Sequence, residues 1–408
     1  MSKKDSTSKG LRLLVTGAVP WAPSGYGKPW TYLFPRLHKA GHTLAMAPFF
    51  GFRGSVLNFD INGAPVKFYP PCKDQFFNDI IGHHAADFEA DVVITMQDVW
   101  TLKDWGQQDF RWCPNFPVDT EPVSAAILNA IDGCHTPLVN TRWAQQQLIE
   151  NGWMNAHYMP YGVDCEIFSP GDQAEARKAV GLPPDVFIAG MVAANSSFPS
   201  RKSFPEVIVA WERWLAAGND GMLYIHATIT PKRNSGIQFE QLINTLHIPW
   251  SSLDDPDPER KARAKIMFPP QYRMWCGAID DEELANIYRS MDVLLSPSQA
   301  EGFGIPIVEA QACGVPVVTQ NITSMTELTF AGLCLEPAQP VWETEGGWRG
   351  VADVDRIVEA LDWAAGLSDE ERVDLALVAR EASLDFDYDV EIERDWAPLL
   401  EELEAEQC

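Results

Sequence analysis

The sequence predicts an α/β protein built as two doubly wound domains that face a central cleft. Three observations carry this. The chain has 408 residues, which is too long for one ordinary core and fits two domains of roughly 150–200 residues. Apolar residues make up 46% and charged residues 22%, the balance of a folded globular protein. Short apolar runs of the kind buried on both faces alternate with amphipathic segments, in two successive cycles, and that alternation implies parallel sheets.

The first cycle opens with "LRLLVT" (11–16), read as a buried strand. The loop "GAVPWAPSGYG" follows, then an amphipathic helix to His38 closed by Gly41. Pro35 is expected to kink that helix or cut it short. "ADVVIT" (90–95) reads as a further strand, and "PVSAAILNAI", "TPLVNT" and "RWAQQQLIENG" as helix, strand and helix. The second cycle starts near 186. "VFIAGMVAAN" is a strand, "FPEVIVAWERWLAAG" a helix and "GMLYIHAT" a strand. "DEELANIYRSM" is a helix with Asp280 and Glu283 at capping-box spacing, and "DVLLSPS" and "VPVVTQ" are strands. Between the cycles, "MPYGVDCEIFSPGD" (159–172) reads as a linker. The polar run "SSLDDPDPERKARAK" (251–265) reads as an exposed insertion. The expected division is a disordered tail over 1–10, a first domain over 11–168, a second over 169–385 and a closing segment over 386–408. In sheets of this kind ligands sit outside the carboxyl ends of the strands.

Composition narrows the function. The net charge is −26. Residues 1–170 hold 13 Lys/Arg and 16 Asp/Glu, the remainder 18 and 41. From 381 onward there are 11 acids and one Arg. Such acidity disfavours broad attachment to nucleic acid or anionic lipid, although the near-neutral first part leaves room for a local basic groove. No apolar run approaches the ~18–20 residues that span a membrane, so no integral membrane association is expected. "MSKKDSTSKG" lacks the apolar region of a signal peptide. The eight cysteines form no CxxC pair and no zinc spacing, which favours a cytoplasmic chain with free, mostly buried thiols.

The chemistry concentrates in "LLSPSQAEGFGIPIVEAQACGVPVV" (294–318). A strand runs into a loop, and a helix starts near Pro306 and ends before Gly314, the expected places for Pro and Gly. Gly302 and Gly304 let the backbone pass close to a ligand. The helix N-terminus offers N–H groups and a positive dipole end to an anion. Glu301 precedes the helix and Glu309 lies near its start, so both carboxylates can meet hydroxyl-rich groups. A phosphate flanked by hydroxyls describes a sugar nucleotide.

This stretch resembles the donor-site motif of glycosyltransferase family 4, the retaining enzymes of GT-B fold with two Rossmann-like domains. Other blocks agree in order. "SGYG" (24–27) with "LHKAGH" resembles the family's N-terminal glycine loop and helix. "MPYGVDCEIFSP" resembles its interdomain segment, and "SRKSFPEVIVAW" its basic donor-phosphate block. "FDYDVEIERDWAPLL" (386–400) resembles the final helix that crosses back to the first domain. The resemblance runs from about 11 to 400.

It implies an N-terminal acceptor-binding domain and a C-terminal nucleotide-sugar-binding domain. By position, Glu301 would contact the transferred sugar's hydroxyls and Glu309 the nucleotide ribose. The backbone around Phe303, Gly304 and Ile305 would face the diphosphate. Arg201 and Lys202 match the basic block and would neutralise the leaving diphosphate. Asn195 and Ser196 stand where the family often has a further Arg, which leaves open which cation touches phosphate. Gly25 and Gly27 would let the first domain approach the diphosphate, or form an ordinary turn. Lys28 is read as solvated.

Asp119, in "PVDTEP", matches a block facing the reacting sugar. It would polarise a hydroxyl or cap a turn. Asp98 stands at a strand's carboxyl end. His135 and His226 are expected as satisfied core histidines, and His83–His84 as a helical pair without ligand spacing. The implied reaction is retaining transfer to an acceptor hydroxyl, with no metal and no cofactor beyond the nucleoside-diphosphate sugar. A sugar-nucleotide epimerase, a phosphorylase or a non-catalytic sugar-nucleotide binder are the alternatives. Acceptor, donor base and oligomeric state stay open. Small molecules, glycans, lipids and hydroxymethylated viral DNA bases are all candidate acceptors. The run "WTLKDWGQQDFRW" (100–112) would stack on bases or sugars, or serve as core packing.

Overall fold

The computed structural model describes residues 10–231, 236–344 and 346–406. They group into two compact units. One comprises the chain up to Val118, Val123–Gly162 and everything from Asp387; the other comprises Asp119–Pro122 and Val163–Phe386.

The first unit is a sheet of β1 (Arg12–Ala18), β2 (Thr43–Phe50), β3 (Leu57–Ile61), β4 (Ala64–Phe68), β5 (Val92–Met96), β6 (Arg111–Phe116), β7 (Leu138–Val139) and β8 (His157–Tyr158). Their order is β3-β4-β2-β1-β5-β6-β7-β8. The β3–β4 pair is antiparallel, while β4-β2-β1-β5-β6 run parallel. β1 is buried at every position after Arg12 and β5 throughout, because helices cover both faces. The β3–β4 hairpin turns on Asn62 and Gly63, both at positive φ (51° and 88°), as a two-residue hairpin turn requires.

Helix Lys28–Lys39 buries Trp30, Leu33, Phe34 and Leu37 on one face. Pro35 does not cut the helix short: it runs through Pro35 to Lys39. Pro35 has no N–H to give the carbonyl of Thr31, and Asn62 Nδ2 donates to that carbonyl instead, at 3.3 Å. The run 100–112 divides: Trp105 and Trp112 are core residues, and Trp100 is 39% exposed. The closing segment Tyr388–Ala405 is helical, with a π-turn over Ile392–Trp396. It packs in this unit through Trp396, whose ring meets Trp30 at 6.4 Å.

The second unit is a sheet of β9 (Ile188–Val192), β10 (Met222–His226), β11 (Trp250–Ser252), β12 (Ile266–Phe268), β13 (Val293–Leu295), β14 (Val317–Gln320) and β15 (Gly332–Leu335). Every pairing is parallel, in the order β11-β12-β10-β9-β13-β14-β15. Helix Phe204–Ala216 drives Phe204, Val207, Ile208, Trp211 and Trp214 into the core beneath the sheet. Asp292 ties the strand starts together. It accepts from the backbone of Ile188 at 2.7 Å, from Arg177 at 2.9 Å and from Arg372 at 3.2 Å.

The polar run 251–265 is not a bare insertion. It continues the edge strand β11, and it carries the helix Pro258–Arg263, capped by Asp257. Its polarity misleads because an edge strand needs only one buried residue, here Ser251, which bonds Asp255 at 2.9 Å. A two-stranded antiparallel hairpin, β16 (Gln339–Glu343) and β17 (Gly347–Val351), completes the unit and has no counterpart in the sequence reading. Of the seven described cysteines only Cys113, Cys165 and Cys313 are buried; Cys72, Cys276 and Cys334 are exposed. Cys408 lies outside the described residues. No described helix is long and apolar enough to cross a membrane.

Candidate active site

In the second sheet the chain goes from β9 to β10 on one side and later returns to place β13 on the other. That reversal opens a crevice at the carboxyl ends of β9 and β13. Both loops that leave there carry the candidate residues. The loop after β9 holds Arg201 and Lys202. It ends at Ser203, a non-glycine residue at φ 55°, which starts helix Phe204–Ala216. The loop after β13 holds Glu301 to Gly304 and feeds helix Ile305–Ala312.

The two loops are bonded to each other and to the hairpin. Gln299 N–H donates to the Arg201 carbonyl at 2.8 Å, and Gly350 N–H donates to the Gln299 carbonyl at 2.9 Å. Gln320 Nε2 donates to the carbonyls of Ser298 (2.7 Å), Pro297 (3.1 Å) and Gly350 (3.1 Å). Ser324 Oγ donates to the carbonyls of Glu301 (2.8 Å) and Phe303 (3.0 Å), and Thr323 accepts from the Glu301 N–H at 3.3 Å. Gly304 sits at φ 98°, and a Cβ there would meet Ile307 Cδ1 at 2.8 Å. The positive φ is what requires glycine at this turn, and a side chain there would also displace the Ile307 methyl.

Charged groups pair across these loops. Lys202 Nζ contacts Glu301 Oε1, with side-chain exposures of 22% and 10%. Arg201 Nη1 donates to Asp119 Oδ2 at 2.5 Å. Arg349 Nη2, from β17, reaches the same oxygen at 3.2 Å, while its Nη1 stands 3.4 Å from Glu343. Burial pushes Glu301 up, but the Lys202 and Arg201 charges override it and hold the carboxyl below its usual range. Lys202 is pulled below the usual lysine range, chiefly by burial and further by Arg201, against the attraction of Glu301. Glu309 is 3% exposed and accepts from the Tyr288 hydroxyl at 2.8 Å. Burial, then the Glu309 charge, pushes that hydroxyl well above its usual range.

The fold thus brings Arg201, Lys202, Glu301 and Asp119 into one network, with Gly302, Phe303, Gly304 and Ile305 on the loop and helix start beside it. Phe303 is buried, its ring 5.9 Å from Phe386. Gly25 and Gly27 lie in the first unit, in the turn that starts helix Lys28–Lys39. A Cβ on Gly27 would meet the Val19 carbonyl at 2.4 Å, so close backbone approach accounts for that glycine. Asp98 accepts from the Tyr26 hydroxyl at 2.7 Å. Asn195 bonds the backbone of Thr228 and Ile237, so it braces loops. His135 is satisfied by Thr136 and Glu406. His226 is not, since its Nδ1 finds no partner among the described residues. Strand periodicity places a ring in a sheet but supplies no partner for it.

Sequence reading missed Arg349, Gln320, Thr323, Ser324 and Tyr288. The hairpin had a signal: Gly346-Gly347 stands between two short runs that carry Val341 and Trp342 on one side and Trp348 and Val351 on the other. The others had none, because their partners lie far away in the chain.

The sequence model for "Glycosyl transferases group 1" matches residues 261–336. A D-inositol 3-phosphate glycosyltransferase of Catenulispora acidiphila is 29% identical over 240 residues, covering 56% of this chain. The match spans 52% of that relative's length, about half. Among solved structures, sucrose-phosphate synthase from Thermosynechococcus elongatus superposes with a TM-score of 0.69 at 18% identity, covering 97% of this chain and all of that one. Anabaena HepE in complex with UDP-glucose gives 0.65 at 14% identity, covering 97% and 99%. The fold is GT-B, two Rossmann-like units. The matched residues include the stretch 294–318 that carries the sequence resemblance to glycosyltransferase family 4.

Proposed function

We propose that this protein is a retaining glycosyltransferase that moves a sugar from a nucleoside-diphosphate sugar to an acceptor hydroxyl, without a metal ion. The observation that supports it most is the meeting of Arg201, Lys202 and Glu301 at the carboxyl ends of β9 and β13, beside the start of helix Ile305–Ala312. In this reading Arg201, Lys202 and the helix terminus stabilise the departing diphosphate. Glu301 accepts from the sugar's hydroxyls and Glu309, oriented by Tyr288, from the ribose. The acceptor oxygen forms its bond to the anomeric carbon on the face from which the diphosphate oxygen leaves. That phosphate oxygen takes the acceptor's proton. The neighbour solved with UDP-glucose makes uridine diphosphate sugars the first donors to test. The names of the inositol-phosphate relative and of sucrose-phosphate synthase make a phosphorylated polyol or sugar the first acceptor class.

The test is a turnover panel with EDTA present. Wild type and Glu309→Ala are given uridine-, guanosine- and adenosine-diphosphate sugars with pooled acceptors: phosphorylated polyols, sugars, lipids and hydroxymethylated DNA. Acceptor-dependent release of diphosphate from one donor, lost in the variant, is expected. Release without acceptor would favour an epimerase or hydrolytic reading. Absence of diphosphate binding would overturn the site.

A further inference from the structure

We propose that Arg349, on the β16–β17 hairpin, is a positioning residue that lets Arg201 turn from Asp119 to the donor's diphosphate. The inference rests on the reading of Arg201 as a phosphate ligand. Asp119 Oδ2 is shared by two guanidinium groups, Arg201 at 2.5 Å and Arg349 at 3.2 Å. The two differ in exposure. Arg201 has a side chain 34% exposed, while Arg349 is 13% exposed and is also held by Glu343. When Arg201 swings to a phosphate it must abandon a carboxylate whose side chain is only 11% exposed. An uncompensated buried carboxylate is costly. Arg349 stays behind and keeps Asp119 paired, so the exchange of Arg201 from carboxylate to phosphate leaves no orphan charge.

The charge balance gives the same sign. Arg201, Lys202 and Arg349 face Asp119, Glu301 and Glu343, three cations against three carboxylates. Without Arg349 the cluster is net anionic before a diphosphate arrives, inside a part of the chain that is already strongly acidic.

The hairpin is built to deliver this residue. Trp348 N–H donates to the Glu121 carbonyl at 2.8 Å, and Glu121 N–H returns a bond at 3.4 Å. A Cβ on Gly347 would meet Thr120 Cβ at 2.3 Å. The β17 backbone is thereby zipped to the 119–122 segment and, through Gly350, to the loop that carries Glu301. These are backbone bonds, so removing the Arg349 side chain leaves the hairpin's placement intact.

Isothermal titration with UDP, GDP and ADP tests this on the full chain. The proteins are wild type, Arg201→Ala, Arg349→Met, Asp119→Asn and the Arg349→Met/Asp119→Asn double variant, each checked for an unchanged thermal midpoint. Arg349→Met is expected to raise the diphosphate Kd about tenfold. The double variant is expected to recover most of that loss, because a neutral amide in place of the Asp119 carboxylate no longer holds Arg201 or needs Arg349. A merely structural role would not be rescued by a second substitution. Should Arg349→Met fail to fold, Arg349→Lys serves. It keeps the charge, and binding within about threefold of wild type supports the proposal. Wild-type affinity in Arg349→Met, alongside weakened binding in Arg201→Ala, overturns the positioning role and leaves the site reading standing. Undiminished binding in Arg201→Ala overturns the site reading and this inference with it.

Discussion

Lys202 and Glu301 make a sharp test of what the site costs the fold. Lys202→Met removes the cation from a carboxylate whose side chain is 10% exposed. Breaking a buried pair from one side costs roughly 3–5 kcal/mol. Arg201 also lowers Glu301 and stays in place, so the expected loss is about 2–3 kcal/mol, equivalent to a fall of roughly 5–10 °C in a unit of this size. Lys202→Met/Glu301→Gln removes both charges and keeps both shapes, and is expected within about 1 kcal/mol of wild type. Urea unfolding followed by tryptophan fluorescence reads all three. The pH response follows with a definite sign. Glu301 is held below its ordinary 4.5, so its contribution is complete above that value and fades as pH falls through the lowered one. In Lys202→Met the fading starts at higher pH. A double variant no more stable than Lys202→Met would show that the two groups are not coupled, and the reasoning would fail.

Three further outcomes follow from the same structure. Tyr288→Phe removes the hydroxyl that orients Glu309, and the donor KM should rise about tenfold with little change in kcat; a fall in kcat alone would contradict the ribose role. Asp292→Ala leaves Arg177 and Arg372 without their shared carboxylate, and urea unfolding should show a loss of about 3–5 kcal/mol. Glu391 has a side-chain oxygen with no partner among the described residues, and burial raises its carboxyl to about 8. The unfolded chain releases that proton near 4.5, so stability should fall by roughly 1.4 kcal/mol per pH unit between 4.5 and 8; Glu391→Gln should flatten the profile, and an unchanged slope would refute the assignment.

The parts of this protein legible from sequence are those whose cause is local. Gly302, Gly304 and Pro306 announce a loop and a helix start, because each acts through its own backbone. The alternation of buried runs with amphipathic ones marks both sheets for the same reason. Asn62-Gly63 is equally local, a two-residue hairpin turn written in the chain, and like Gly346-Gly347 it is passed over when only helix-and-strand alternation is followed. What stays hidden depends on distant partners. Asp119 looks like a turn residue until Arg201 and Arg349 arrive from 82 and 230 residues away. Pro35 reads as a helix breaker until Asn62 satisfies the carbonyl it strands.

The charge distribution sets up one last prediction, with a sign opposite to the usual one. Beyond residue 170 the chain carries 41 acids against 18 bases, yet the proposed ligand is a diphosphate. At long range such a surface repels the ligand. At contact range, in the proposed reading, Arg201, Lys202 and the helix start attract it. The two ranges separate at the screening length, about 8 Å at physiological ionic strength. Salt weakens the long-range repulsion more than the short contacts inside a half-buried network. The association rate of UDP, measured by stopped-flow tryptophan quenching, should therefore rise between about 20 and 200 mM salt, while dissociation changes little. Most anion sites show the reverse, since their whole surroundings are cationic. An association rate that falls with salt would mean that the local field of the three cations extends past their paired carboxylates. The balanced pairing of Arg201, Lys202 and Arg349 with Asp119, Glu301 and Glu343 would then be broken in solution.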